Sequence, residues 1–411
     1  MKSNSKNEID IFREEFKRLM VELDMFNKYS KTYRLTDIEP TDYGFVAKLY
    51  LNTGLSFSKL QNNVPVIQEN LRCLWIMKVK QFSKYAKVDI ITNPLDLDIE
   101  YEVPKIKPWE MHMGVNFSLQ SMKNNNNDYC MFLLAGATGS GKTRFMYMVL
   151  LSWILNCKTN EVELYISDVA KNEYVNFQYV QHVKSYASEL DELLEMMRIV
   201  KKKIQYRKNL ISKQREMGLA TNIQDYNKIK DMQKLSYCYT IIDEFSAIIP
   251  DTSDSKRDNE MKQEILDTVK YISKIGRSLG MFLIVSTQKT TRDEIPSIIK
   301  NMSAVRISFR ANDSVSSEVI IGDRSACGLG DRIAVYSQNG GSDKDYLFSP
   351  KITMEKLNEL LEPYVKRKKK TFSNQELGMT VQKKVINITP KRRTRQEWEQ
   401  FFKKEDGFID Y

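Results

Sequence analysis

Apolar residues form short, uninterrupted runs over the central and C-terminal parts of the chain. Five of these runs predict strands covered on both faces of a sheet, because each is short and apolar throughout. They are residues 130–136, 162–168, 238–243, 281–287 and 304–310. Helical stretches separate them, and that alternation predicts a mostly parallel sheet with right-handed crossovers and flanking helices.

The first hundred residues follow a different pattern. Residues 8–30 carry apolar positions at helical spacing and predict an amphipathic helix. Residues 45–51 alternate with period two and 87–93 form a second strand-like run, while 55–75 predict a turn followed by a helix. A small α/β accessory domain is the simplest interpretation, and the prolines at 94, 104 and 108 indicate a linker after it.

The segments together predict four parts. They are an N-terminal amphipathic helix (1–30), a small α/β accessory domain (31–108), a motor domain (109–365) and a basic, flexible tail (366–411). The chain has 411 residues with 42% hydrophobic and 28% charged content, which is enough for real cores and excludes wholesale disorder.

The charge balance favours a polyanionic partner. The net charge is +10, which suits nucleic acid or an acidic membrane surface, although a lysine-rich solvated surface explains it equally well. Two stretches concentrate the charge. Residues 198–215 hold eight Lys or Arg, and residues 366–411 hold thirteen against six Asp or Glu. Each stretch could contact a phosphate backbone, but the tail could also be a solubilising extension.

The composition also indicates the cellular compartment in which the protein works. The five cysteines form no CxxC pair and the two histidines lie far apart, which argues against a structural zinc site and favours a reducing compartment. The first ten residues lack the apolar core of a signal peptide. No run reaches the ~18–20 apolar residues that span a bilayer. We therefore expect a cytoplasmic protein, with any membrane attachment supplied by a partner.

One segment carries a strong chemical signature. It follows an apolar strand, precedes a helix and satisfies the P-loop pattern GxxxxGK[ST], reading Gly136-Ala137-Thr138-Gly139-Ser140-Gly141-Lys142-Thr143. Its glycines let the backbone amides curl around phosphates, and the helix start adds positive potential. Lys142 is expected to reach the β- and γ-phosphates and Thr143 to bind Mg²⁺. The pattern predicts ATP and Mg²⁺ as ligands, and with the strand pattern an α/β P-loop NTPase fold of RecA-like type.

Two further apolar strands end in polar residues suited to hydrolysis. Asp243 follows the third strand and is predicted to bind the Mg²⁺ held by Thr143, and Glu244 is predicted to be the general base. The fourth strand ends at Ser286-Thr287-Gln288, and Gln288 is predicted to sense the γ-phosphate or orient the attacking water.

The order of these motifs resembles the FtsK/SpoIIIE/HerA superfamily of DNA-pumping ATPases. The resemblance spans roughly residues 110–350. The motifs that carry it are GATGSGKT, ISDVAKNEY (166–174), GLATNIQDYN (218–227), TIIDEFSAII, the long segment 273–310 that contains GRSLG, and GLGDRIAVYS (328–337). Val169 departs from the family, which commonly has proline there, so the turn at this position is expected to differ.

The resemblance implies a ring, usually a hexamer, in which an arginine of the neighbouring subunit completes each nucleotide site. Arg277 matches a recurrent family position and is the first candidate; Arg207, Arg306 and Arg310 remain alternatives. Residues 39–60 and the basic tail are similar to coupling proteins of Gram-positive conjugative plasmids and integrative elements.

That likeness implies a coupling ATPase that moves plasmid DNA, binds it without sequence preference, and works with a relaxase and membrane secretion-channel proteins. The alternatives are a type VII-like protein-export ATPase, a DNA segregation or packaging motor of a mobile element, and a DNA-binding scaffold without turnover. The intact Lys142, Thr143, Asp243 and Glu244 argue against the scaffold.

Overall fold

A computed structural model describes residues 2–79, 83–92, 99–117, 119–288, 297–338 and 344–366. The strands are β1 (Arg34–Thr41), β2 (Gly44–Tyr50), β3 (Leu74–Val79), β4 (Tyr85–Ile91), β5 (Glu110–Val115), β6 (Ser121–Asn125), β7 (Met131–Ala135), β8 (Val162–Ser167), β9 (Val183–Ala187), β10 (Tyr237–Ile242), β11 (Met281–Thr287), β12 (Val305–Phe309), β13 (Ile333–Gln338) and β14 (Lys344–Phe348). The helices are α1 (Lys2–Glu22), α2 (Phe57–Asn62), α3 (Val64–Leu71), α4 (Lys142–Asn156), α5 (Leu190–Glu216), α6 (Ile223–Tyr226), α7 (Lys256–Leu279), α8 (Ser297–Met302), α9 (Ser314–Ile321) and α10 (Met354–Leu361). The predicted basic tail lies, beyond Lys366, outside the described residues.

The N-terminal part forms its own four-stranded antiparallel sheet, in the order β1-β2-β4-β3. Helix α1 packs on it through apolar residues of one face, and Phe16 stacks on Trp75 at 5.2 Å between ring centroids. Two expectations are corrected here. The amphipathic helix ends at Glu22 rather than at residue 30, and the single helix expected within 55–75 is a pair, α2 and α3, followed by β3. Asn63 separates the pair, and Pro65 lies in the first turn of α3, since proline suits a helix start but not its interior.

The main sheet has ten strands in the order β6-β5-β14-β13-β12-β7-β11-β10-β8-β9. The six strands from β12 to β9 are parallel, and antiparallel pairs join β13, β14, β5 and β6 to them. The five predicted strands are β7, β8, β10, β11 and β12, and every residue of β7, β8, β10 and β11 is buried. The architecture is therefore a mostly parallel sheet flanked by helices. The strands outside the predicted five include polar ones such as β6, SMKNN.

Helix α4 follows the P-loop and is buried around most of its circumference. Its apolar sequence explains this placement, because a helix that is hydrophobic on all sides must be covered on all sides. Helix α7 is amphipathic and has clear ends. Ser255 caps its first turn by accepting a hydrogen bond from the Asp258 amide, and Gly280 ends it in the left-handed conformation.

Only some of the cations in the basic stretch of α5 are exposed on the protein surface. Residues 198–215 were predicted to contact a phosphate backbone through their eight Lys or Arg. Arg207 is instead fully buried, Lys203 forms an ion pair with Glu163, and Arg198 binds Glu195 and Glu264. The remaining cations of the arm are Lys201, Lys202, Lys208, Lys213 and Arg215, and these side chains are exposed.

Within the described residues, no helix is both long enough and apolar enough to cross a membrane.

Candidate nucleotide site

The parallel strands deliver the P-loop, Asp243, Glu244 and Gln288 to one edge of the sheet. The P-loop follows β7, a parallel strand inside the ten-stranded sheet that pairs with β12 on one side and β11 on the other. Asp243 follows β10 and Gln288 follows β11. Because parallel strands end at a common edge, residues far apart in sequence meet there, and ligands of open α/β sheets bind at this edge.

The P-loop itself is held by backbone hydrogen bonds from distant parts of the chain. The Ala137 amide donates to the Arg310 carbonyl, and the Arg332 amide donates to the Ser140 carbonyl, both at 2.9 Å. Gly139 and Gly141 have φ of +78° and +104°, which side-chain-bearing residues rarely adopt. A Cβ at Gly141 would lie 3.1 Å from the Arg332 Cα. The loop therefore needs glycine at 141 for both conformation and space.

Lys142 and Asp243 are buried together beneath the loop. The Lys142 ammonium lies 4.0 Å from an Asp243 carboxylate oxygen, and only 3% and 2% of the two side chains is exposed. Ser286, at the end of β11, donates a hydrogen bond to the same Asp243 oxygen. Burial lowers the pKa of Lys142 against the opposing pull of the Asp243 charge, and burial raises the pKa of Asp243. Burying this charged pair costs desolvation free energy. A bound phosphate or metal ion would offset part of that cost, so the pair indicates a site for a charged ligand.

A loop after β8 supplies a residue that the sequence did not single out. The Thr143 hydroxyl donates a hydrogen bond to the Glu173 carboxylate. The loop is fixed by Asp168, whose carboxylate accepts from the amides of Glu173 and Tyr174 and from the Tyr186 hydroxyl. Glu173 therefore contacts the predicted metal ligand, and its position follows from Asp168 rather than from any periodic pattern.

Glu244 is enclosed by hydrogen-bond donors. One carboxylate oxygen accepts from the Ser246 hydroxyl at 2.8 Å, and from the Thr287 hydroxyl and the Gln288 amide at 3.2 Å. The other accepts from the Lys171 ammonium at 3.0 Å. Burial acts to raise the pKa of Glu244, but the hydrogen bonds from Lys171 and Ser246 outweigh it, so this pKa is lowered. Glu244 has a φ of +48°, an uncommon backbone conformation that marks functional sites.

Gln288 links the predicted base to the P-loop. Its amide donates to Glu244, while its side-chain oxygen accepts from the Thr138 hydroxyl at 2.9 Å. Residues 289–296 lie outside the described residues. The placement of Gln288 between the base and the loop is the one expected of a residue that senses phosphate, and that role stays a prediction.

The site has the features that a nucleotide phosphate and Mg²⁺ require. Over the described part of the chain, the buried atoms without a hydrogen-bond partner include Ser140 Oγ, Lys142 Nζ and Asp243 Oδ2. Buried polar groups are normally satisfied, so unsatisfied donors and acceptors on the P-loop and on the neighbouring Asp243 indicate a ligand site. The donors suit phosphate, and the Asp243 carboxylate with the Thr143 hydroxyl suits Mg²⁺.

Two of the four candidate arginines are structural. Arg207 donates to the Leu279 and Gly280 carbonyls, the Ser236 hydroxyl and the Cys238 sulfur. Arg207 is therefore a buried structural residue, and it is not available to complete the nucleotide site of a neighbouring subunit. Arg306 is half-buried and donates to three backbone carbonyls, those of Lys300, Ser303 and Ile320.

The other two arginines lie at opposite edges of the sheet. Arg310 follows β12 at the same edge as the P-loop and pairs with Asp331 at 2.9 Å, so it belongs to the chain's own site. Arg277 is exposed near the end of α7, just before β11 begins. The length of the parallel strands separates Arg277 from the P-loop of its own chain. A catalytic role for Arg277 would need a second subunit, and that role stays a prediction.

This geometry defines a P-loop ATPase class of α/β protein, with a glycine-rich loop and the Asp243–Glu244 carboxylate pair at one sheet edge. Residues 105–292 match the model of the FtsK/SpoIIIE family, so the chain contains an FtsK/SpoIIIE family domain. A relative from Chlamydia pneumoniae described as "DNA translocase FtsK" is 27% identical over 219 residues, which is 49% of this chain and 26% of that protein. The chain thus spans about a quarter of that relative's length.

Two solved structures share the fold. The "pCW3 conjugation coupling protein TcpA", solved with ATPγS, is 18% identical with a TM-score of 0.60 over 86% of this chain and 99% of that one. "EssC (ATPases 2 and 3)" from Geobacillus thermodenitrificans is 16% identical with a TM-score of 0.54 over 66% and 51%. At such identities the likeness is one of fold alone.

Proposed function

We propose that the chain is an ATP-hydrolysing DNA translocase, acting as the coupling ATPase that moves plasmid DNA in conjugative transfer. One observation carries the hydrolytic part. Asp243 and Glu244 stand side by side at a strand end, next to Lys142 and Thr143, within an FtsK/SpoIIIE family domain. A scaffold protein would have no use for a base beside the metal-side carboxylate.

The residues divide the chemistry between them. The P-loop amides and Lys142 bind and orient the phosphates. Thr143 and Asp243 are the residues that would hold Mg²⁺, which neutralises charge on the phosphates when bound. Glu244 accepts the proton of the water that attacks the γ-phosphorus, and Gln288 orients that water from its position between Glu244 and Thr138.

DNA as the substrate rests on the family and on charge. The proteins that share the family are described as DNA translocases, and this chain carries +10 net charge with exposed cations along α5. These cations would contact the phosphate backbone without reading sequence. We further propose a homo-hexameric ring in the cytoplasm, held at the membrane by secretion-channel partners and supplied with DNA by a relaxase. The coupling role alone is supported by the fold that the chain shares with TcpA, a protein described as a conjugation coupling protein.

The competing proposal is a type VII-like protein-export ATPase, favoured by the fold likeness to EssC. A DNA segregation or packaging motor of a mobile element is a third possibility within the DNA-motor class. The export ATPase would respond to a peptide substrate and ignore DNA.

The experiment measures ATP turnover of the purified chain alone, with double-stranded DNA, with single-stranded DNA and with a candidate export peptide. Wild type is expected to hydrolyse ATP faster with DNA, with stimulation that falls steeply as salt rises. Glu244→Gln should bind ATP yet lose about two orders of magnitude or more of turnover. Turnover that ignored DNA, or a Glu244→Gln variant as active as wild type, would reject the proposal.

A further inference from the structure

We propose that Lys171 reads the γ-phosphate of ATP by exchanging partners, leaving the Glu244 carboxylate for the phosphate when ATP binds. The inference deepens the proposed function and rests on the ATPase site described above. It assigns a nucleotide-discriminating role to a loop residue outside the P-loop and outside the carboxylate pair.

The first support is the state of the Glu244 carboxylate. One of its oxygens accepts three hydrogen bonds from the chain itself, so its hydrogen-bonding capacity is filled. The other accepts only from Lys171. A general base needs a free lone pair directed at water. The oxygen bonded to Lys171 is the one that can serve, and it becomes a stronger base when Lys171 moves away, because the hydrogen bond from Lys171 lowers the pKa of Glu244.

The second support is the mobility that the structure allows Lys171. Its side chain is 28% exposed, whereas that of Glu244 is 10% exposed. The ammonium stands on a flexible four-carbon stem, so it can swing without moving the backbone. In this ion pair Glu244 is fixed by its other hydrogen bonds, whereas Lys171 can change its side-chain conformation.

The third support is that the two lysines face adjacent carboxylates, Lys142 at 4.0 Å from Asp243 and Lys171 at 3.0 Å from Glu244. The positive charge of Lys171 acts on Lys142, adding to the effect of burial on the pKa of that residue. Two ammonium groups thus share one part of the site. A γ-phosphate bound by Lys142 would bring negative charge close to Lys171 and compete with Glu244 for it.

The fourth support is the build of the loop. Asp168 fixes the loop from one side, and Asn172 adopts a left-handed φ of +55° between the two functional residues. Asparagine tolerates this conformation better than most residues. The kink directs Lys171 to the base and Glu173 to the Thr143 hydroxyl. One loop thereby contacts both side chains that the bound nucleotide and Mg²⁺ must engage.

The test compares affinities for a slowly hydrolysed ATP analogue and for ADP, each with Mg²⁺, by equilibrium titration of the full chain. Lys171→Met is expected to weaken binding of the ATP analogue about tenfold or more and to leave ADP within about twofold, because only ATP carries the γ-phosphate. Lys171→Arg keeps the charge and should keep most of the discrimination. Lys262→Met is the matched control, because Lys262 forms a half-buried ion pair with Asp254 at 2.7 Å. It should leave the ATP-to-ADP ratio unchanged.

Two outcomes would overturn the inference. Equal losses for both nucleotides in Lys171→Met would mean that Lys171 supports the pocket rather than reading the γ-phosphate. Unchanged affinities for both would mean that the pair with Glu244 persists. The titration needs neither turnover nor DNA, so it fails separately from the proposed function.

A second measurement checks the exchange itself. Glu244→Gln removes the competing charge, so it should tighten binding of the ATP analogue when Lys171 is present. In the Lys171→Met background that gain should shrink to within about twofold, since coupled residues are non-additive. An equal gain in both backgrounds would show that Glu244 acts on the phosphate directly and would overturn the exchange.

Discussion

Single residues set the shape of the phosphate loop, and the two glycines at 139 and 141 do so in different ways. Both have positive φ, but a Cβ at Gly139 meets nothing within 4 Å, whereas one at Gly141 meets the Arg332 backbone at 3.1 Å. Conformational strain is common to both positions. Close packing against the 328–332 turn applies only to Gly141.

We therefore predict a ranking of two alanine substitutions. Gly139→Ala should cost about 1–2 kcal/mol of backbone strain and weaken ADP binding by about tenfold. Gly141→Ala should weaken it further, because the new methyl group also displaces Arg332 and with it the hydrogen bond to Ser140. Titration calorimetry measures both, and thermal melting controls for folding. Weaker binding by Gly139→Ala than by Gly141→Ala would contradict the loop geometry.

The sequence predicted the residues that carry their own local pattern and missed those placed by the fold. The P-loop, Asp243 and Glu244 stand out because each follows an apolar strand. Lys171 and Glu173 have no such mark. They reach Glu244 and Thr143 only because Asp168 organises their loop and the sheet brings β8 beside β10. Arg207 did carry a signal: it falls with Val200, Ile204 and Ile211 on one helix face, the buried one.

At the scale of elements, α5 combines a structural face with a basic one. Its inner side packs through Val200, Ile204 and Ile211, and Lys203 and Arg207 join that side to Glu163 and the end of α7. Within the basic stretch 198–215, only the exposed side chains are available to bind a polyanion such as DNA. The proposed DNA contact of α5 is therefore limited to its exposed cations, such as Lys201, Lys202 and Lys208.

The outward lysines of α5 give a prediction for DNA binding. Replacing Lys201, Lys202 and Lys208 together by Gln should lower DNA affinity for all sequences alike. It should also reduce the slope of log affinity against log salt by up to about 0.9 for each DNA phosphate that is no longer neutralised. Fluorescence anisotropy over a salt series measures both quantities. The control replaces the exposed Lys17, Lys28 and Lys31 by Gln, with the same change in net charge. Equal effects of the two triple variants would argue against α5 as the DNA-binding surface.

The hydrophobic pattern missed strands that are polar or only partly buried. Strand β6 reads SMKNN and has no apolar run, and β9 is a short strand with two half-buried positions. Neither can be distinguished from a loop by hydrophobic pattern alone. The buried parallel strands were recognised because coverage on both faces demands uninterrupted apolar residues.

At the scale of the whole molecule, one chain presents the phosphate loop at one sheet edge and the exposed Arg277 at the other. A ring built by head-to-tail contacts would bring the second edge of one subunit to the first edge of its neighbour. The same arrangement within a single chain is impossible, because the parallel strands keep the two apart. The proposed hexamer thus has a direct functional test.

Mixing two inactive variants should restore activity. Arg277→Ala keeps an intact Glu244, and Glu244→Gln keeps an intact Arg277, so each alone should show little ATP turnover. In an equal mixture that is allowed to exchange subunits, about a quarter of the interfaces would combine both intact residues, as head-to-tail contacts require. ATP turnover of the mixture, compared with the mean of the two variants, measures this recovery. A mixture no more active than that mean would exclude Arg277 as the intersubunit arginine.

The central place of β7 in the sheet also has a consequence for how the protein is made. The strand before the P-loop pairs with β11 and β12, which are translated some 150 residues later, and the loop is pinned by the backbones of Arg310 and Arg332. A nascent chain that has only just produced the loop cannot yet close it, because long-range pairing must wait for the later strands. The growing polypeptide should therefore gain nucleotide affinity late in synthesis, after its proposed DNA-contacting helix has already left the ribosome.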